Sequence, residues 1–205
     1  MLELHCHTTF SDGTLTPTEL VGAAAAAGVR ALAITDHDTL GGWSEAQAAA
    51  TALKADRAVE LEIVPGVELS TVCNERSLHI LGFYPDRARL EGPLQERVAG
   101  RWQRAQAMAD KLAALGYPIV LPSLRAGMAP GRPHLARALV AAGYANTAKE
   151  AFTRWLHDDG PAYVRYEKFS AVAGIELLLN SGGVPVWAHP YLFRGGEVEA
   201  VLPEL

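Results

Sequence analysis

Between Leu2 and Phe83 the sequence alternates strand patterns with helix patterns, and this alternation narrows the fold more than any other feature. Leu2–His7 reads as a strand. Thr16-Pro17-Thr18-Glu19 is a capping box with proline at the first helical position. The helix it opens runs to about Ala27 and stops at Gly28, a residue suited to a left-handed cap. Ala31–Thr35 is almost continuously apolar, as a strand covered on both faces must be. Ser44 to about Ala55 is an alanine-rich helix, and Glu62–Leu69 and Leu78–Phe83 read as two further strands. A βαβαβ order predicts a parallel, right-handed α/β arrangement.

The middle changes character. A long helical pattern from Leu90 to Leu115 ends at Gly116-Tyr117-Pro118. A glycine- and proline-rich loop follows, Leu121 to Pro133, then helical patterns at His134–Ala142 and Thr147–His157, with no strong strand. Residues 91–165 are therefore expected to be a helical insertion, a lid subdomain between 1–90 and 166–205. Helix returns at Ser170–Asn180, a strand follows at Val184–Ala188, and Gly196–Leu205 resembles the opening of another helix.

The length of 205 residues, 49% of them hydrophobic, suits one domain with a small insertion. The net charge of -5 speaks against a broad nucleic-acid surface, though not against a local phosphate pocket. Two cysteines, Cys6 and Cys73, give no disulfide framework; Cys6 is expected to pack as a hydrophobe. The first residues lack the basic and apolar regions of a signal peptide, and the alanine run from Gly22 to Ala27 is too short to cross a bilayer. A cytoplasmic protein with no membrane partner is expected.

Side chains alternate along a strand, so His5 and His7 face the same way. Paired imidazoles at a strand end are ready-made metal ligands. A turn at Ser11-Asp12-Gly13 can bring the Asp12 carboxylate back over them, although aspartate also caps such turns unaided. His37, flanked by Asp36 and Asp38, follows the second strand; Glu68 ends the third; His79 lies on the fourth; His189 ends the late strand ahead of Pro190. Five of the seven histidines thus fall on or just after strands, where parallel α/β folds gather their working groups. Of the Asp36-His37-Asp38 trio, only His37 is expected to be a direct ligand, with Asp36 orienting an imidazole. Such donors suit manganese, zinc or iron.

His5-Cys6-His7-Thr8, Ser11-Asp12-Gly13, Ile34-Thr35-Asp36-His37-Asp38-Thr39, Gly66-Val67-Glu68-Leu69-Ser70, Leu78-His79-Ile80-Leu81-Gly82 and Ala188-His189-Pro190 occur in an order that resembles the PHP (polymerase and histidinol phosphatase) family. The branch most similar comprises stand-alone bacterial phosphoesterases acting on nucleoside 3',5'-bisphosphates and on the 5' ends of short oligoribonucleotides. The segment Gly131–Leu139 resembles that branch's helical insertion. The resemblance implies a distorted (β/α)7 TIM-like barrel with two to three divalent metal ions at its C-terminal rim. By motif, His5, His7 and Glu68 would hold the first metal, Asp12 and His37 the second, and Glu68, His79 and His189 the third. It also implies hydrolysis of phosphomonoesters by a metal-bridged hydroxide, on a small phosphate ester, a nucleotide or short RNA. Arg132 and His134 are the expected contacts to the substrate phosphate. No serine or cysteine sits in a recognisable nucleophile motif.

The family's final glycine-serine-aspartate-x-histidine motif does not occur among these 205 residues. Two expectations follow: the sequence belongs to a longer chain, or the barrel lacks its C-terminal strand and two ligands, leaving only the third site with its full protein set. Three alternative functions stand beside the phosphoesterase: a histidinol phosphatase, an amidohydrolase, and a non-catalytic metal-binding PHP fragment.

Overall fold

The computed structural model describes residues 1–57, 60–121, 127–165 and 169–205, apart from the side chains of Arg57 and Glu204. Part of the expected glycine- and proline-rich loop, 122–126, and the expected boundary at 166–168 lie outside these residues.

Strand β1 (Leu2–Cys6) pairs in parallel with β2 (Ala31–Ile34), and β2 in parallel with β3 (Glu62–Cys73). Helices α1 (Pro17–Ala26) and α2 (Trp43–Arg57) make these connections. The Thr16 cap forms as its sequence dictates: its side chain accepts the Glu19 N–H, and the Glu19 carboxylate accepts the Thr16 N–H. Val21 and Ala24 of α1 and Ala46 and Ala50 of α2 bury against Leu32 and Ile34, while Ala31 and Ala33 pack with Val64 in a separate cluster, so all four residues of β2 are buried.

The expectation of a parallel arrangement holds only this far. Strand β4 (Arg76–Phe83) runs antiparallel to β3, and β6 (Val184–Trp187) antiparallel to β4. A two-residue turn at Asn74-Glu75, with φ of 48° and 60°, joins β3 to β4. Both turn residues thus lie in the left-handed region that a tight hairpin requires. The turn extends both strands beyond the expected limits at Leu69 and Leu78. A short β5 (Phe169–Ser170) pairs in parallel with the far end of β3. The sheet path is β1-β2-β3-β4-β6, yet the His5 and His189 rings at its two ends stack 5.6 Å apart. The sheet is therefore curled into a half-barrel within a mixed α/β fold.

Helix α3 (Arg87–Ala114), opened by Asp86, serves two cores. Leu90 and Leu94 pack with β3, β4 and α6 (Ala171–Asn180). Ala105, Met108 and Leu112 pack with α4 (Arg132–Ala141), α5 (Ala148–Ala151) and the π-helical turn Phe152–Leu156. The expected helix Thr147–His157 is thus a short α-helix that widens into a π turn. One buried ion pair fastens α3 to the sheet: Arg101 donates from Nε and Nη2 to Asp38 Oδ2, at 2.7 and 2.6 Å. Asp38 Oδ1 accepts the Ser70 N–H, and Arg101 Nη2 also reaches Ser70 Oγ.

Burial alone would raise the Asp38 pKa, but the Arg101 guanidinium outweighs it and holds the carboxyl below its ordinary value. The pair's contribution is therefore complete above the unfolded-state carboxylate pKa and is lost as pH falls through the lower folded-state value. Asp38→Ala strands the Arg101 charge, and we expect urea unfolding at pH 7 to show about 3–5 kcal/mol less stability. Below the folded-state pKa of Asp38 this difference should shrink.

Candidate metal centre

Each side chain of the centre sits on a strand, just after one, or in a turn held against one. The His37 segment is pinned to β3: Glu68 N–H donates to Asp36 O at 3.2 Å, and Asp38 N–H to Glu68 O at 3.1 Å. Across the β3–β4 hairpin, Ser70 faces His79 and Glu68 faces Leu81, so Glu68 and His79 are diagonal neighbours on one face. Ala188 N–H donates to His79 O and brings His189 alongside, with His189 itself held at φ 33°. Asp12 returns over the rim because the turn closes tightly at Gly13, where a Cβ would lie 2.3 Å from His7 O.

These placements converge on the Glu68 carboxylate, which is 1% exposed. Its Oε2 has His5 Nε2 at 2.9 Å, His7 Nε2 at 3.0 Å and His37 Nδ1 at 3.5 Å. Its Oε1 has His79 Nδ1 at 2.8 Å and His189 Nε2 at 2.9 Å. The five rings form a closed circuit, His5–His7–His37–His79–His189, with adjacent centroids 4.7–5.6 Å apart. Asp12 lies beside it, with Oδ1 3.4 Å from His7 Nδ1 and Oδ2 3.8 Å from His37 Nε2. The seven residues singled out as metal ligands thus stand together.

This set fits divalent cations better than it fits itself. Three nitrogens crowd one carboxylate oxygen, which has two lone pairs. His37 Nδ1 is buried with no hydrogen-bond partner. Burial pushes the His37 pKa down to about 4, so near neutral pH the ring carries no charge of its own. Burial also opposes ionisation of Glu68, but His37 and hydrogen bonds from His189, His5 and His7 hold its carboxyl far below the ordinary range. An ionised carboxylate ringed by imidazole nitrogens offers a donor set that could hold cations once those nitrogens give up their protons. The inward-facing atoms form two close groups, His5 with Glu68 and His189, and His7 with His37 and Glu68. The motif grouping instead pairs His5 with His7.

A pocket of about 220 Å³ adjoins the cluster. Asp12, His37 and His79 line it together with Arg101, Arg104, Arg132 and Phe152. Arg132 is held by Asp158 Oδ1 at 2.6 Å and Leu156 O at 3.0 Å. His134 is placed otherwise. It is buried, its Nδ1 accepts the Gly131 N–H at 3.0 Å, and it caps α4 rather than lining this pocket. The sequence reading missed Arg101 and Arg104, although with Arg97 they recur at the spacing of one helix face. Asp36 orients no imidazole directly; its carboxylate is bonded to Thr8 and Ser11. Burial raises the Cys6 thiol to about 11, consistent with a packed, unreactive side chain.

Residues 3–91 match the family model described as PHP domain. A 5'-3' exoribonuclease of Haemophilus influenzae is 39% identical over 197 residues, covering 94% of this chain and 69% of that protein. A 3',5'-nucleoside bisphosphate phosphatase of Chromobacterium violaceum is 35% identical over 195 residues, covering 92% and 66%. The chain thus spans about two thirds of the length of these curated relatives. A solved structure from C. violaceum, described as an amidohydrolase with bound sulfate and no metal, superposes with a TM-score of 0.87 at 32% identity. That match covers 99% of this chain and 72% of the other.

Gly13→Ala must displace the turn that carries Asp12, so the purified variant should lose metal by elemental analysis. Gly22→Ala, with nothing within 4 Å of the added carbon, should keep its metal and gain about 0.5–1 kcal/mol in helix α1.

Proposed function

The chain belongs to the PHP family, and from that membership we propose that it is a metal-dependent phosphoesterase hydrolysing phosphomonoesters of nucleotides, either nucleoside 3',5'-bisphosphates or the 5' ends of short oligoribonucleotides. One observation carries the reading: the pocket beside the cluster is lined by imidazoles, a carboxylate and three guanidinium groups together. Arginine matches a phosphate by geometry and by charge.

Two to three divalent ions, of manganese, zinc or iron, would be held by His5, His7, Asp12, His37, Glu68, His79 and His189. When bound, such ions make a coordinated water acidic and neutralise phosphate charge. The chain's own groups supply the rest. Glu68 remains ionised and fixes the imidazoles in one geometry. Arg132, steadied by Asp158 and by the Phe152 and Tyr163 rings, is placed to hold a substrate phosphate. The helical layer around 91–165 acts as a cover that narrows the pocket and excludes water.

The amidohydrolase reading has one finding in its favour, the description of the C. violaceum structure. Three guanidinium groups in the pocket lining suit an anion better than a neutral amide. Histidinol phosphate shares the anion and is separated only by assay.

Purified chain supplied with manganese should release phosphate from adenosine 3',5'-bisphosphate faster than from histidinol phosphate, and should leave a lactam intact. Lactam cleavage, or inertness toward both phosphate esters, would overturn the proposal. Arg132→Met should raise KM for the bisphosphate about tenfold or more, the loss of a charge-assisted hydrogen bond, with metal content unchanged.

A further inference from the structure

Among the described residues, one phenyl ring stands with the charged groups that line the pocket, that of Phe152. Its local backbone is unusual. Helix α5 passes directly into the π turn Phe152–Leu156, which the His157 N–H closes by donating to Phe152 O at 3.0 Å. Such turns are rare and frequently mark functional sites. Here Ala151, Trp155 and Leu156 are buried in the helical core, whereas Phe152 is only half-buried and meets the pocket beside the apolar Ala129 and Pro133.

Neighbouring rings are not offered in the same way. Trp155 is buried, with Arg154 over it at 4.0 Å, and Tyr163 is not among the lining residues. The same π turn also fixes Arg132, whose Nη1 donates to Leu156 O at 3.0 Å and to Asp158 Oδ1 at 2.6 Å. Arg132 Cζ stands 5.8 Å from the Phe152 ring centroid. An anion contact and a flat apolar contact are thus presented side by side. A nucleotide carries the matching pair, a phosphate and a flat base joined through one sugar. An aliphatic phosphate ester carries only the first.

We propose that the Phe152 ring is the stacking surface for the base of a nucleotide whose phosphate Arg132 holds, and that it determines specificity for nucleotides over phosphate esters without a base. The inference rests on the phosphoesterase reading for the phosphate and adds the base. Stacking on an aromatic ring accepts any base, since each has a π face. Phe152 therefore separates nucleotides from other esters without choosing among the bases.

The test compares, by calorimetry on the metal-free chain, binding of adenosine 3',5'-bisphosphate and of its abasic analogue, 1-deoxyribose 3,5-bisphosphate. Both carry the same phosphates, so the difference reads the base alone. The native chain should bind the nucleotide about tenfold more tightly, within the range of base–aromatic stacking. Phe152→Leu, which keeps an apolar side chain for the helical core, should lose that preference, and Phe152→Tyr, which keeps the ring, should restore it. With manganese supplied, Phe152→Leu should raise KM for the adenosine compound about tenfold and leave its kcat, and KM for the abasic compound, as in the native chain. A native chain that binds the two compounds equally, or binds neither, would overturn the proposal. So would an equal weakening of both in Phe152→Leu, the mark of a packing defect. The native comparison does not depend on any variant folding. Preference for the nucleotide without phosphate release in the presence of manganese would overturn the phosphoesterase reading instead and leave the stacking surface standing.

Discussion

A single buried carboxylate organises this molecule. Glu68 sits in the middle of the longest described strand, where the sheet changes from parallel to antiparallel pairing, and five imidazoles from four segments meet at its two oxygens. A charge buried this deeply is expensive unless it is matched. The matching groups arrive from opposite ends of the sheet, and so the sheet must curl. The closure of the rim and the assembly of the site are thus one event, and each ring that joins the circuit makes the fold more specific.

The two aspartates that flank His37 divide the labour of holding it. Asp36 turns back toward β1 and organises the turn bearing Ser11 and Asp12. Asp38, at φ 51°, turns outward to Ser70 and Arg101. The tripeptide therefore connects the first turn of the chain, the central strand and the helical layer, with the imidazole between them. In the sequence the two acids look equivalent, and only the direction of each side chain separates them.

Much of the centre was legible because strand periodicity and strand ends carry it. His5, His7, His37 and His189 could be placed from the pattern of apolar runs alone. Leu78–Phe83 reads as a strand, but its antiparallel direction was not legible, because the hairpin turn at Asn74-Glu75 lacks the usual glycine and its flanks are polar enough to pass for a loop. Arg101 was missed because its partner Asp38 lies 63 positions away, and no local signal records so distant a contact. His134 misled for the opposite reason: a histidine at the third position of a helix looks the same whether it faces a ligand or bonds its own N-terminus. The resemblance to a family supplied what periodicity could not, the expected grouping of the donors into separate metal sites.

Helix α3 spends its first turns in the sheet's core and its last in the helical core, and the Asp38–Arg101 pair clamps it between them. Swinging the helical layer aside would pull a guanidinium off a carboxylate that has no exposure to solvent. Any opening of the layer must break this pair first.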